Sequence, residues 1–394
     1  MAPHAALQAH LPAFREALRG APLGLYLHVP FCVDRCTYCS FATTRDQALK
    51  PAAVARLLED VAAWGAALGR PAVDTLYLGG GTPSLLSAEE LRRLTEALRD
   101  AFDLTPLREA TLEANPGTVD LRWLEAARGL GWDRVSLGVQ ALDDALLARL
   151  GRIHGSATAL EALGLAQAAG FQRRSADLMV GIPGQSLDRV LSDARTLAAT
   201  GIDHLSVYLL DVDKACPLRG DIDAGRLSLP SEDEVADVFE ALQPELPRLG
   251  LAPYEISNYA RPGCASIHNT RYWERRPYLG LGPSAASQIG AFRWTESSVI
   301  PAWNDGRGEL ELQELDAAEA LAELPLLGLR MHRGIDWAEV RAGGEAANLA
   351  PMVDAWETRL RALSREGLVL WEGSQVSLSA RGMLLSNGIL EMFA

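Results

Sequence analysis

HVPFCVDRCTYCSF, residues 28–41, decides how the chain is read. Three cysteines, Cys32, Cys36 and Cys39, stand at spacings of four and three, just after the apolar run GLYLHV at 24–29. Thiolates bind soft metals. A structural zinc site takes four protein ligands. His28 is a candidate for the fourth, but it could equally be a hydrogen-bonded core histidine. Cys216 and Cys264 each stand alone, far along the chain. An iron–sulfur cube normally takes four cysteines, one per iron, so three leave one iron open to a small chelating ligand.

The same alternation of apolar run and loop continues outward. VDTLYLGG (73–80), EATLEA (109–114), DRVSLGV (133–139), RRSADLMV (173–180) and DHLSVYLL (203–210) read as further strands. Amphipathic segments separate them. Ser87 with Glu90 forms a capping box, and Leu187, Val190, Leu191, Ala194, Leu197 and Ala198 make one apolar stripe closed by Gly201. Six strands alternating with helices imply parallel βαβ units. Polar and glycine-rich motifs stand at the C-terminal ends of several strands, which favours a partial (β/α)6 barrel over a doubly wound sheet. The fold class is α/β.

After about residue 215 the pattern changes. A helical stretch at 231–249 leads to YEISNYARPGCASIHNTRYW, and from about 312 three helices precede a hairpin, GLVLW-EGS-QVSLS. Three regions are expected: the barrel at 1–215, an extension at 216–310 and a winged-helix-like domain at 311–394, which serves for packing or docking. Thirty-seven basic against 51 acidic residues give a formal charge of −14. That balance excludes a nucleic-acid footprint of the usual kind. The beginning of the chain carries no apolar run of signal-peptide length, and no stretch approaches membrane-spanning length. A cytoplasmic location is expected, with reduced cysteines.

The loop Cys32-x3-Cys36-x2-Cys39 after a first barrel strand resembles the radical SAM signature. The resemblance implies a [4Fe-4S] cluster held by Cys32, Cys36 and Cys39, with S-adenosylmethionine (SAM) on the open iron. GGGTPS, ending the second strand, resembles the family's methionine-binding loop and supplies Gly80, Gly81 and Thr82. Tyr38 takes the position beside the adenine. The chain is closer still to the oxygen-independent coproporphyrinogen III dehydrogenases and their relatives. That branch matches Tyr26, Glu113 of LEANPG, Gln140 of SLGVQ, Arg152 of LGRIHG and Asp177 of ADLMVGIPGQ.

Within that branch two readings stay open. The dehydrogenases carry a further cysteine where this chain has Phe41, and a longer N-terminal extension than the 25 residues before Tyr26. Both differences point to the sister group, the HemW-like heme chaperones. HNTRYW at 268–273 resembles that group's heme-associated motif and implies His268 as a heme-iron ligand; a neutral imidazole is a good one. The resemblance further implies delivery of heme to a respiratory protein, with a homodimer and peripheral membrane contact as possible accompaniments. The alternative is oxidative decarboxylation of porphyrinogen propionates.

Overall fold

The computed structural model describes residues 4–212 and 216–394. Residues 213–215, in the DVDKACPL segment, lie outside it. Six parallel strands build the centre: β1 (Leu23–Val29), β2 (Val73–Gly80), β3 (Glu109–Ala114), β4 (Arg134–Gln140), β5 (Arg173–Val180) and β6 (His204–Leu209). Each is followed by helix, notably α1 (Lys50–Leu68), α2 (Ala88–Ala101), α3 (Leu121–Gly129), α4 (Ser156–Ala168), α5 (Leu187–Ala199) and α6 (Glu232–Arg248). The strands are covered on both faces, β1 almost completely, as their unbroken apolar runs require. Ser87 and Glu90 form the expected reciprocal cap of α2. On α5 the stripe packs inward except at its first member: Leu187, in the opening turn, is exposed.

The extension continues the sheet at both edges. The short strands β7 (Ala252–Pro253) and β8 (Asn258–Ala260) join antiparallel beside β6. Beyond them the chain runs through α7 (Ile267–Trp273) and returns to the opposite edge. There β9 (Tyr278–Leu281) lies parallel to β1, followed by antiparallel β10 (Ala286–Ile289), β11 (Phe292–Thr295) and β12 (Glu311–Glu314). The order is β12-β11-β10-β9-β1-β2-β3-β4-β5-β6-β8-β7, an open barrel. Near residue 14 an early helix seats Phe14 on Trp294, ring centroids 5.2 Å apart, and against Trp64.

The C-terminal unit has its own apolar core, which includes Trp337, Trp356, Leu360 and Phe393. It comprises α8 (Ala317–Gly328), β13 (Ile335–Asp336), α9 (Trp337–Ala346), α10 (Ala350–Arg365) and the hairpin β14 (Val369–Glu372) with β15 (Gln375–Leu378). β13 pairs with β15, so the wing has three strands rather than two. Position 311, the expected start of this unit, falls on β12, which still pairs with β11. Among the described residues no helix is long and apolar enough to cross a membrane.

Candidate functional site

The cysteine loop is pinned at both ends. Cys32 N–H donates to the Thr44 carbonyl at 3.0 Å and Thr44 N–H to that of Pro30 at 2.7 Å. Thr37 N–H donates to the Leu150 carbonyl at 3.0 Å, tying the loop to the chain after β4. All three cysteines are partly exposed and free of disulfides. Two donors approach their sulfurs: Thr82 Oγ1 lies 3.6 Å from Cys32 Sγ, and Arg152 Nη1 lies 3.4 Å from Cys36 Sγ.

The glycine loop lies directly against this one. Gly80 has φ +109°, and a Cβ there would come within 2.7 Å of the His28 ring. A Cβ on Gly81 would meet the Phe31 carbonyl oxygen at 2.8 Å. Glycine is therefore required for backbone to lie this close. Glu113 stands behind it, accepting from Gly80 N–H at 3.1 Å and from the Tyr77 hydroxyl at 2.7 Å. Burial pushes its carboxyl up to about 7. Asp177, which accepts from Ser136 Oγ at 3.3 Å, is raised to about 6 for the same reason.

Gln140 sits at φ +70°, where the β4–β5 register shifts, and its buried Oε1 lacks a hydrogen-bond partner. Arg152 Nη2 donates to the Gly138 carbonyl at 2.6 Å, while its Nε lacks an acceptor. Tyr38 is adjacent to Arg152. Cys32, Cys36, Thr82, Arg152 and Tyr38 thus gather near the C-terminal strand ends, with Gly80, Gly81, Glu113 and Gln140. Tyr26 and Asp177 lie deeper. His28 is not free to ligate: Nδ1 faces the Tyr26 hydroxyl at 3.0 Å and Nε2 the Ala42 carbonyl at 3.1 Å.

The set fits a cluster with an open iron. Of three free thiols, Cys32 has a hydroxyl and Cys36 a cation aimed at its sulfur, and orphaned polar atoms of Gln140 and Arg152 stand nearby. Among the described residues no three ligand side chains converge on a single ion.

His268 lies at the opposite end of the barrel. On α7 its ring is fully buried, Nδ1 faces Thr75 Oγ1 at 2.9 Å and Nε2 faces the Tyr272 hydroxyl at 2.9 Å. Thr75 lies near the start of β2 and Gly80 ends it, five residues or roughly 16 Å apart. Burial lowers the imidazole to about 4. In this conformation both ring nitrogens of His268, the expected heme-iron ligand, are engaged by hydroxyl groups. Glu109 holds the start of α7, accepting from Ser266 Oγ and from the N–H groups of Ile267 and His268 at 3.0–3.1 Å. Asp74 holds its end through Arg271. The motif helix thereby plugs the barrel floor.

Tyr77, which the sequence did not single out, connects the two ends. Its ring stacks on His268 at 5.1 Å and its hydroxyl reaches Glu113. Alternation along β2 is the signal that could have found it, since Thr75, Tyr77 and Gly79 share one face. Between the ends lies a small polar pocket of about 20 Å³, beside Arg134, Asp177 and His204.

Residues 26–197 match the radical SAM superfamily. The heme chaperone HemW of Mycobacterium tuberculosis is 34% identical over 380 residues, covering 94% of each chain. That of Bacillus subtilis is 32% identical, over 93% of this chain and 98% of its own. The solved coproporphyrinogen III oxidase HemN of Escherichia coli superposes with TM-score 0.82 at 23% identity, over 97% of this chain and 93% of its own, a likeness of fold. With relatives this similar along almost its whole length, the chain belongs to the HemW family of the radical SAM superfamily.

Proposed function

We propose that this chain binds heme and delivers it to a respiratory protein, and that it carries a [4Fe-4S] cluster and SAM as resident groups. Cys32, Cys36 and Cys39 would hold the cluster, with Thr82 and Arg152 donating to the thiolates. Gly80, Gly81, Thr82 and Glu113 would receive the methionine end of SAM and Tyr38 its adenine, with Tyr26, Gln140 and Asp177 completing the surroundings. Together such a cluster and SAM supply one-electron radical chemistry.

The observation that favours carriage over porphyrinogen oxidation is the likeness to HemW heme chaperones along almost the whole chain, 34% identical over 94% of each chain in one case. Phe41, 65% exposed where the dehydrogenases carry a cysteine, agrees with that reading.

The test is turnover. Reconstituted chain, coproporphyrinogen III, SAM and a low-potential reductant are incubated without oxygen. Protoporphyrinogen is expected to stay at the level of a chain-free control. Its formation in several-fold excess over the chain would replace carriage with catalysis.

A further inference from the structure

At the C-terminal end of α7 a cleft of about 340 Å³ opens between the motif helix and the small domain. Trp273, the last residue of α7, forms one wall, and Leu324 of α8 and Met331 add apolar surface. Arg275 and Arg333 also line it, alongside the carboxylates of Glu274, Asp336 and Glu339.

Two features point to a ligand rather than a packing gap. The Trp273 Nε1–H is buried without an acceptor, although the guanidinium of Arg330 lies over the indole, 4.6 Å from the ring centroid. Arg275 Nε donates to Glu323 at 2.5 Å, yet its buried Nη2 has no partner. Arg333 is paired with Glu274 at 2.6 Å, so Arg275 supplies the unspent donor. Unpartnered buried N–H groups occur elsewhere among the described residues, on Trp294 and Trp303 for example, but these two flank one open cleft. Here an indole N–H and a guanidinium N–H are both left over, beside an aromatic wall and a thioether.

We propose that this cleft seats a planar apolar ligand bearing carboxylates; on the reading above, on which this inference rests, that ligand is heme. The macrocycle lies against Trp273 and Met331, whose surfaces suit a flat π-system. A propionate takes the free N–H of Arg275, a charge-assisted hydrogen bond. α7 stays docked, and His268 acts as the buried lock that holds the Trp273 wall in place rather than as the iron ligand.

The experiment is a hemin titration, followed by absorbance, of the full chain with its cluster reconstituted. Leu324→Trp and Glu339→Trp each fill the cleft, from α8 and from the exposed face of α9. Each is expected to weaken hemin binding at least tenfold and to leave the cluster's absorbance unchanged. Glu339→Trp keeps the test decisive should Leu324→Trp fail to fold. Trp273→Phe, which keeps a flat wall, is expected to weaken binding less than either. Parental affinity in both filled variants would overturn the cleft while leaving heme carriage in place. Failure of binding in His268→Ala while both filled variants keep parental affinity would return the seat to His268. No saturable binding by the parent chain would overturn the cleft and the carriage reading together.

Discussion

Cys36→Ala is expected to bring bound iron in the anaerobically reconstituted chain from about four per chain to near zero, with loss of the brown iron–sulfur absorbance. Three thiolates are the only protein ligands the proposed cluster has, so nothing replaces one that is removed. Arg152 and Thr82 give the contrast. Each donates to a sulfur, at 3.4 and 3.6 Å, and neither supplies a ligand. Arg152→Gln and Thr82→Val are therefore expected to retain iron while changing how readily the cluster is reduced, because hydrogen bonds to the sulfurs and nearby charge tune such clusters. Undiminished iron in Cys36→Ala, with an unchanged spectrum, would remove the loop as the cluster site. The readouts are iron content and absorbance, which do not depend on any activity.

Asp74→Ala is expected to cost about 3–5 kcal/mol of stability, the usual consequence of stripping one partner from a buried ion pair. Arg271 is fully buried and pairs with Asp74, which also accepts from Arg276 at 2.8 Å. Its Nη1 donates to the carbonyls of Pro22 and Pro277 at 3.0 Å. No side chain fits opposite it: a Cβ on Gly24 would come within 2.5 Å of the guanidinium stem. Removing Asp74 leaves this charge in a cavity shaped for it alone. A loss of that size is a large part of a typical domain's stability. It would appear as a lower urea midpoint, with α7 the first element to exchange its amide hydrogens. A midpoint within experimental error of wild type would mean that α7 is not anchored through this pair.

The barrel was readable because its strands are buried on both faces. VDTLYLGG, EATLEA and RRSADLMV coincide with β2, β3 and β5, and the other three parallel strands differ at their ends by single residues. The cap of α2 and the glycine loop were equally local, and local signals survive in sequence. The short strands of the extension were not readable. β8 to β12 have three or four residues each, too few for a period to appear.

His268 shows a different limit. Its motif was plain, but the direction of the side chain depends on Thr75, 193 residues earlier, and on the ring of Tyr77. Which way a histidine points is set by the tertiary contacts that close around it. Tyr77 looked like an ordinary strand tyrosine until β2 and α7 came together. The unpartnered atoms of Trp273 and Arg275 likewise exist only in the folded chain.

Heme carriage is tested most directly by adding hemin, without oxygen, to the reconstituted chain and then supplying a heme-free cytochrome as acceptor. Saturable binding near one hemin per chain is expected, followed by transfer to the acceptor faster than from free hemin at the same concentration. Binding that never saturates, or transfer no faster than from free hemin, would contradict the account.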